Sequence, residues 1–390
     1  MVRYPPGRAQ GRPGQAAPLT PDQARLLLSE QGRAAVETAS ALDLTDRLRA
    51  AEEVRSLGEL GRLALDQALL RRKALAKHPD GDRLWWTAEA LEQSTPREVA
   101  VHHAQRFAGT EPVSDLGCSV GGDLLALLQV APAVGVDLDE ARALLARANT
   151  GAPVAVADVT TLNPRGSVFA DPARRRSGRR GYDPATWSPP LSVVLAWPAR
   201  ALGVKVAPGI DYDALPPGLE VEVVSLRGDV KEAVLWGGGA RRGHARTATL
   251  LPSGDHLVDA GAPAPAVRPP GRYLLEPDGA VIRAHLVAEV AQQVDGWLLD
   301  ASIAYVSADL AVPTPYGAWY EVLDTMPFSL KALRTRLRAL DVGTLVVKKR
   351  GTAVEPEVLR KQLRLSGSTA ATVVLTRQAG HQVALLVRPL

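Results

Sequence analysis

Aspartate and glycine residues in the middle of this 390-residue sequence have the spacing of a binding site for a small charged cofactor. The run Asp115-Leu-Gly117-Cys118-Ser119-Val-Gly121-Gly follows a β-branched segment and opens a helical pattern, where glycines let the backbone approach a ligand closely. Dinucleotide-binding folds use G-x-G-x-x-G, whereas here an acidic residue precedes the turn and the spacing approaches D-x-G-x-G-x-G, with Ser119 at the middle glycine. We predict that these five numbered residues bind the cofactor.

Two further aspartates end the next two predicted strands. Asp137 lies about 20 residues after the glycine-rich turn, where a carboxylate can accept hydrogen bonds from both hydroxyl groups of a ribose. Asp158 ends the strand that follows. The alternatives are that both aspartates only cap the helices after them, that the chain is a nucleotide-dependent dehydrogenase, or that the sheet has lost its ligand.

Asp171 ends the fourth predicted strand, in the run Phe169-Ala-Asp171-Pro172-Ala-Arg174. The carboxyl edge of the sheet is where the second substrate should bind. Arg174, Arg175 and three more arginines up to residue 180 form a basic stretch that suits the phosphates flanking a target base, with a solvated loop as the alternative. We predict catalytic roles for Asp171, Pro172 and Arg174, and substrate binding for Arg175.

The elements that must position these residues form an α/β pattern. Between Val113 and Trp236, short β-branched runs alternate with helical patterns, which is typical of a doubly wound sheet. The predicted parallel strands contain VSDLG, AVGVD, PVAVAD, SVFAD and LGVKVAP. LEVEVVS and VKEAVLW flank Arg227-Gly-Asp229 and predict an antiparallel hairpin, and residues 237–271 predict a second hairpin and a linker.

Helical patterns fill the N-terminal part of the chain after a Pro- and Gly-rich tail of about 18 residues, which we expect to be flexible. Capping boxes at Thr20 and Thr95 predict one set of helices that continues to about residue 75 and another helix that ends near residue 107. Trp85 and Trp86 lie between them, and we favour core packing for this pair over stacking on an extruded base.

The C-terminal part predicts a small α/β module, with helices near residues 330–340 and 355–365 and strands in GTLVVKKRG, ATVVLTR and QVALLVR. From residue 331 to the end there are twelve basic residues and three acidic ones, a net charge of +9. Lys348, Lys349 and Arg350 at a strand end are predicted to contact phosphates, although like charges there also deter edge-to-edge pairing.

Composition limits the class of protein less than these local patterns do. The net charge of +4 and the pI near 9.3 favour an anionic partner, but only eight of the 46 basic residues are Lys, so nucleotide bias explains part of this charge. No apolar run approaches the roughly 18 residues that span a bilayer, and the first residues lack the apolar core of a signal peptide. We expect a soluble, cytoplasmic protein with no membrane partner.

Several of these motifs together resemble a known family. LWWTAEALEQST, DLGCSVGGD, VGVDLDEA, FADPARR, LGVKVAPGID and the C-terminal KKRG-x-x-x-x-PE-x-LRK are similar to the bacterial class I S-adenosylmethionine-dependent methyltransferases that carry a C-terminal THUMP-like domain. The resemblance covers most of residues 80–390. It implies a Rossmann-like methyltransferase sheet at 108–270 and a THUMP-like RNA-binding domain at 271–390, after a tail, a helical domain and a connecting helix at 1–107.

The resemblance also implies roles for particular residues. S-adenosyl-L-methionine would be bound by the glycine-rich turn and by Asp137 and Asp158, with Asp158 near the adenine amino group and Asp115 near the methionine ammonium. Asp171 and Pro172 would take part in the acceptor site. Glu92 and Gln93, in the stretch that matches the family's A-L-E-Q, would line it as substrate-binding residues. The related Asp/Asn-Pro-Pro-aromatic motif of amino-methyltransferases differs in its last two positions, which here are Ala173 and Arg174.

The single cysteine of the sequence distinguishes two kinds of methyl transfer. Asp-Pro-Pro-Arg enzymes that methylate uridine at carbon 5 need a cysteine nucleophile, whereas Cys118 lies in the cofactor loop. We therefore expect direct in-line transfer to a nitrogen or oxygen, with Asp171 orienting the nucleophile. One cysteine, and the adjacent His102 and His103 whose side chains would point about 100° apart on a helix, predict no metal site.

Our hypothesis from the sequence is an RNA methyltransferase, acting on a base nitrogen of structured RNA such as tRNA or rRNA. THUMP domains elsewhere bind such RNA, and the basic C-terminal module agrees with this substrate. A protein or small-molecule methyltransferase is the first alternative, and a non-catalytic RNA-binding protein that retained the sheet is the second.

Overall fold

The computed structural model of the protein describes residues 18–173 and 183–390, together with the backbone at 175–176 and 179–180. The described residues form two compact units. Unit 1 contains the residues up to Leu219 together with Ala233–Arg242, and unit 2 contains Glu220–Glu232 and Gly243–Leu390. The N-terminal helices therefore belong to the same compact unit as the parallel strands. The three-part division of the sequence stays a prediction about domains.

Among the described residues up to 206, six helices come first and are followed by a part in which strands and helices alternate. The helices are α1 (Pro21–Leu28), α2 (Glu30–Ser40), α3 (Arg47–Glu53), α4 (Gly58–Ala74), α5 (Ala88–Gln93), α6 (Arg97–Ala104), α7 (Gly122–Leu127), α8 (Glu140–Thr150) and α9 (Leu191–Leu195), with 3-10 turns at Arg55–Leu57, Gln105–Phe107, Val159–Thr161 and Pro184–Thr186. The strands are β1 (Val113–Leu116), β2 (Ala133–Asp137), β3 (Val154–Val156), β4 (Ser167–Ala170), β5 (Arg175–Arg176), β6 (Arg179–Arg180) and β7 (Ala201–Val206).

The remaining part of the chain is richer in strands. Its strands are β8 (Glu220–Leu226), β9 (Asp229–Gly238), β10 (Arg246–Leu251), β11 (Asp255–Val258), β12 (Tyr273–Pro277), β13 (Trp297–Leu298), β14 (Val306–Ala308), β15 (Gly317–Pro327), β16 (Val342–Lys349), β17 (Thr369–Gln378) and β18 (His381–Pro389). Its helices are α10 (Gly279–Arg283), α11 (Val287–Gln293), α12 (Leu330–Ala339) and α13 (Pro356–Leu363).

The larger sheet has the strand order β11-β10-β8-β9-β7-β4-β1-β2-β3. The five predicted parallel strands, β3, β2, β1, β4 and β7, are adjacent and parallel, and β9 runs antiparallel beside β7. Arg227 and Gly228 join β8 to β9 with φ values of 54° and 83°, which suits a tight hairpin turn. The class I methyltransferase sheet expected from the sequence is therefore confirmed.

The two predicted capping boxes have different outcomes. Thr20 accepts a hydrogen bond from the backbone N–H of Gln23, and the Gln23 side chain accepts one from the backbone N–H of Thr20, so the first box is confirmed. The second is wrong: α6 begins after Pro96 without a side-chain cap. The Thr95 hydroxyl instead accepts a hydrogen bond from the Lys205 ammonium at 2.5 Å, because a charged donor outcompetes a neutral backbone N–H.

Trp85 and Trp86 lie in the core of unit 1, as the packing interpretation predicts. Trp86 is fully buried and its indole N–H donates to the Gly81 carbonyl at 2.9 Å. Trp85 is 4% exposed, and the Arg71 guanidinium lies over its ring. Neither ring faces outward for stacking on a base.

Aromatic residues also fill the space between α6 and the middle of the sheet. Phe107, Phe169 and Trp236 are buried with ring centroids 6.0 to 6.3 Å apart. Gly203 in β7 leaves room for this cluster, because a Cβ atom there would lie 2.5 Å from Trp236 and 2.9 Å from Phe169. The aromatic packing thus requires glycine in the fifth parallel strand.

Unit 2 contains the second sheet, with the order β13-β14-β12-β15-β18-β17-β16. α12 and α13 cover one face, where Leu333, Leu337 and Leu359 pack on the sheet, and Tyr305 and Tyr320 belong to the core of the other face. The predicted C-terminal α/β module is confirmed, as is the β10–β11 hairpin predicted within residues 237–271. Among the described residues, no helix is both long enough and apolar enough to cross a bilayer.

Substitution of Gly203 by Ala tests the packing of the aromatic cluster. We expect it to lower the free energy of unfolding by about 1–3 kcal/mol, because the new methyl group overpacks a dense core. Gly239→Ala is the matched control, since its Cβ would only reach ordinary contact, 3.5 Å from the Arg200 carbonyl oxygen. Urea unfolding followed by tryptophan fluorescence measures both, and equal midpoints for the two variants would contradict the packing account.

Candidate active site

The glycine-rich loop between β1 and α7 adopts a conformation that few residue types allow. Gly117 and Gly121 have φ values of 89° and 88°. A Cβ atom at Gly117 would lie 3.0 Å from the Asp171 carbonyl oxygen, so the loop and the end of β4 approach closely. Ser119 takes the left-handed conformation itself, with φ 51°, at a cost on the order of 1 kcal/mol. The loop therefore accommodates a serine in a conformation that glycine adopts more readily.

Asp137 anchors the same loop from the end of β2. Its Oδ2 accepts a hydrogen bond from the Ser119 backbone N–H, and its Oδ1 accepts one from the Asp139 backbone N–H, both at 2.8 Å. Burial raises the pKa of Asp137 against the opposing effect of these two N–H groups. Asp139, and not Asp137, caps α8. The side chain of the intervening Leu138 is 68% exposed, although it is large and apolar.

Asp158 is exposed and its carboxylate Oδ1 accepts hydrogen bonds from both the backbone N–H and the hydroxyl of Thr160. These contacts cap the 3-10 turn Val159–Thr161. The capping alternative is therefore what the structure contains at this position, and a contact of Asp158 with a base stays a prediction.

Asp115 is the most deeply buried of the described acidic residues of the site. It is 1% exposed, and its Oδ2 has no hydrogen-bond partner among the residues that the structure describes. Burial raises the pKa of Asp115 well above its ordinary value, the carboxylates of Asp123, Asp171 and Asp137 raise it further, and Lys205 opposes them. Buried carboxylates are normally paired, so this orphaned oxygen fits a ligand that supplies a cation such as an ammonium group.

A buried ammonium group connects the cofactor loop to the predicted acceptor residue. Lys205 Nζ donates to Asp171 Oδ2 at 2.8 Å, to Asp123 Oδ2 at 3.1 Å and to Thr95 Oγ1 at 2.5 Å. Asp123 lies in the first turn of α7, directly after the glycine-rich loop. Sequence reasoning missed Lys205, Asp123 and Thr95. The available signal was a lysine inside the apolar run LGVKVAP, since a lysine in a buried strand requires partners.

The residues around Asp171 are described to different extents. Pro172 is buried, and Ala173 pairs with Ser188 through two backbone hydrogen bonds, which hold the backbone just after Asp171 in place. Arg174 lies outside the described residues. Arg175 is described only as backbone, in β5, and nothing is said of its side chain. Their predicted roles therefore stay predictions.

The cysteine of the loop is unsuited to attack a substrate. Cys118 is 5% exposed, and burial together with the Asp115 and Asp137 carboxylates raises the pKa of its thiol. Only a thiolate is an effective nucleophile. A Cβ atom at Gly135 would lie 2.9 Å from the Cys118 sulfur, so this thiol is packed against β2.

Glu92 and Gln93 are exposed at the end of α5. Lys77 Nζ holds this helix end by donating to the backbone carbonyls of Leu91, Glu92 and Ser94. Gln93 donates to Glu89 within its own helix. The segment does reach the site, but through the Thr95 side chain. A substrate contact of Glu92 or Gln93 stays a prediction.

In unit 2, the three predicted phosphate contacts are engaged by acidic residues. Lys348 lies 2.5 Å and Arg350 3.7 Å from the Glu276 carboxylate, and Lys349 lies 2.6 Å from that of Glu355. Contact with the Glu276 carboxylate and with Tyr320 raises the pKa of Lys348 against the effect of burial. The described parts of the chain contain no group of three or more His, Cys, Asp or Glu side chains placed to hold a metal ion.

Comparison with known proteins supports both the THUMP-like C-terminal region and the methyltransferase fold. Residues 317–389 match the family described as "THUMP domain-like". The chain is 40% identical over 347 residues to an uncharacterized S-adenosylmethionine-dependent methyltransferase of Mycobacterium tuberculosis, in each of two strains, over 83% of this chain and 96% of that protein. A proposed methyltransferase from Porphyromonas gingivalis W83 has a similar fold, with a TM-score of 0.70 at 21% identity over 91% of this chain and 97% of that one.

Asp115→Asn tests whether the buried carboxylate is kept for ligand binding at the expense of stability. The raised pKa means that the native state holds this proton more tightly than the unfolded chain, so wild-type stability falls as pH rises from 3.8 through the raised value. We expect the cofactor-free variant to be more stable than wild type at about pH 8, on the order of 1 kcal/mol or more, with a smaller difference at about pH 5.

Urea unfolding at both pH values measures this difference, and calorimetric titration with S-adenosylmethionine should show affinity at least about tenfold weaker in the variant. Asp213→Asn, at an exposed position, is the control and should change neither quantity. An Asp115→Asn protein that is less stable at about pH 8, or that binds the cofactor as wild type does, would refute this role.

Proposed function

Because this chain belongs to the S-adenosylmethionine-dependent methyltransferases, we propose that it methylates a base nitrogen of structured RNA, tRNA or rRNA, by direct transfer without a covalent protein intermediate. The observation that carries this proposal is the position of Asp171. It follows β4 at the carboxyl edge of the sheet, its carbonyl oxygen approaches Gly117 of the cofactor loop, and one carboxylate oxygen has no partner within the described residues.

The cofactor site has residues that suit each part of S-adenosylmethionine. The Asp115 oxygen that has no partner among the described residues suits the methionine ammonium group. The glycines with positive φ have no side chains, so the methionine part of the cofactor can lie close to the backbone. Asp137 suits the ribose hydroxyl groups. The exposed Leu138 offers an apolar face for the adenine ring. When bound, the cofactor supplies a methyl group on a positively charged sulfur, which a nucleophile can attack in line.

Asp171 acts on the acceptor in this proposal. The groups that it offers beside the loop, a carboxylate oxygen and a backbone carbonyl, are hydrogen-bond acceptors, so they suit an N–H group better than a bare lone pair. Hydrogen bonds from the acceptor nitrogen to these oxygens would hold its lone pair toward the methyl group. Positioning of this kind can account for a large part of a rate enhancement. Pro172 restricts the backbone that carries the carboxylate.

RNA as the substrate rests on the THUMP-like C-terminal region and its charge. The ion pairs of Lys348, Lys349 and Arg350 with acidic residues mean that phosphates would have to displace Glu276 and Glu355 there. α12 and α13 offer cations with less competition. Lys331, Lys361 and Arg364 are exposed, and none of their side chains has an acidic partner among the described residues.

An open groove along α12 is lined by Ser329, Lys331, Ala332, Thr335, Arg336 and Ala339. Arg334 and Arg338 donate to the backbone carbonyls of Gln362 and Arg364, so they lie beside the C-terminal end of α13. Within the proposed RNA-binding region, the helical layer is thus the surface best suited to the phosphate backbone. An RNA substrate also fits the cytoplasmic location expected from the sequence.

The proposed activity is tested by mass spectrometry of modified nucleosides in total RNA from cells with and without the gene. One methylated nucleoside should disappear on deletion, return with the wild-type gene or with Cys118→Ala, and stay absent with Asp171→Ala. Purified Asp171→Ala should still bind S-adenosylmethionine within about threefold of wild type, because the main cofactor contacts are elsewhere. Restoration by Asp171→Ala, or dependence on Cys118, would contradict the mechanism.

The RNA surface is tested by reversing two charges in Lys331→Glu/Lys361→Glu. We expect RNA binding at about 0.1 M salt to weaken by at least about tenfold and the slope of log affinity against log salt to fall by about one to two. Lys349→Glu is the comparison, since Glu355 already neutralises that ammonium, and it should weaken binding less. Filter binding over a salt series measures the affinity and the salt slope of each variant. A larger effect of Lys349→Glu would show that RNA binds at the strand end and not on the helical layer.

A further inference from the structure

Lys205 is a fully enclosed cation in the strand next to the acceptor residue. All six residues of β7 are buried, and the Lys205 side chain is 4% exposed. Removing an ammonium group from water costs several kcal/mol unless partners compensate for it. A charge as buried as this one requires hydrogen-bond partners and opposite charges inside the protein.

Described residues of the protein offer an oxygen for each hydrogen of this ammonium group. An ammonium group has three hydrogens. Thr95, Asp123 and Asp171 each provide an oxygen within 3.1 Å of Nζ, from three separate segments of unit 1. These contacts and the 4% exposure of the side chain place the ammonium group inside the protein rather than at the surface that an acceptor molecule would meet.

Asp171 differs from Lys205 in its exposure. Its side chain is 33% exposed, with Oδ2 directed at the ammonium and Oδ1 without a partner in the described part of the chain. Three further acidic residues are grouped with Asp171 and Lys205 within the described part of the chain: Asp115 in β1, Asp123 in α7 and Asp137 at the end of β2. Lys205 supplies a positive charge that offsets the repulsion between Asp171 and these carboxylates.

We propose that Lys205 is a positioning residue of the methyl-transfer site, which holds the Asp171 carboxylate in one orientation and places a positive charge beside the acidic residues, without contacting the acceptor. The proposal rests on the function proposed above, since it gives Asp171 its role. It is distinct from a role in stability alone. If Lys205 acts through the charge and direction of Asp171, its removal changes how the site takes up protons, which a loss of packing would not do.

The first test is the pH dependence of methyl transfer by Lys205→Met, which keeps the volume of the side chain. Lys205 opposes the raised pKa of Asp115. Without this cation the acidic residues of the site should retain a proton to higher pH, so the acidic limb of the kcat profile should move upward by about one pH unit or more. Part of the lost rate should return at high pH. Lys231→Met, in the β8–β9 hairpin where Lys231 pairs with Asp229, should give the wild-type profile. A uniform loss of rate at all pH values would overturn the proposal.

The second test needs no RNA. Calorimetric titration with S-adenosylmethionine in buffers of different ionisation enthalpy counts the protons released on binding. Lys205→Met should release roughly half a proton more per cofactor than wild type near neutral pH, because a positively charged ligand expels the proton held among the acids. The additional Asp171→Asn substitution should abolish this excess, and S-adenosylhomocysteine, which has no sulfonium charge, should produce less of it.

Two outcomes separate this proposal from the proposed function. Suppose that wild-type protein methylates no RNA, but Lys205→Met releases additional protons on cofactor binding and the further Asp171→Asn substitution abolishes this release. The RNA assignment then fails and the positioning role stands. If RNA is methylated while Lys205→Met keeps the wild-type pH profile and proton count, the positioning role fails. Should Lys205→Met not fold, Lys205→Met/Asp123→Asn removes one of the uncompensated charges, and it is compared with Asp123→Asn alone.

Discussion

Buried charge at the carboxyl edge of the parallel sheet is the constraint on which this site depends. Asp115, Asp123, Asp137 and Asp171 converge there, and among the residues whose side chains are described Lys205 contributes a positive charge to this group. Like charges in a medium of low dielectric repel strongly, so this arrangement persists only because the surrounding fold holds it in place. Burial raises the pKa values of Asp115 and Asp137, and one Asp115 oxygen has no hydrogen-bond partner among the described residues, so a bound cation would stabilise the charged form of these groups.

The same network joins elements that are far apart in sequence. Lys205 in the fifth parallel strand contacts the end of the fourth strand, the helix after the glycine-rich loop and the segment before α6. The loop itself is held by Asp137 from the second strand, and its glycine at 117 lies against the Asp171 carbonyl. A change in any of these elements would therefore alter the distance between the glycine-rich loop and Asp171, and the proposed direct methyl transfer depends strongly on this distance.

Local patterns predicted the sheet and the position of the glycine-rich loop well. The five parallel strands, the hairpins and the position of the glycine-rich turn follow from short-range periodicity and turn chemistry, which the sequence displays directly. The Lys205 contacts could not be predicted in this way, because their partners come from segments up to 110 residues away. In one of these contacts the Thr95 hydroxyl accepts a hydrogen bond from Lys205 instead of capping α6. Likewise, Lys348 forms an ion pair with Glu276, which lies 72 residues away in the sequence.

Methyl transfer to RNA is the central claim of this account, and incubation of the purified protein with methyl-labelled S-adenosylmethionine tests it most directly. The acceptors are total RNA, total protein and the small-molecule fraction, all from a strain that lacks the gene. We predict that label enters RNA, in a single nucleoside methylated on nitrogen, and that Asp171→Ala abolishes this incorporation. Label that enters protein or small molecules while RNA stays unlabelled would contradict the claim.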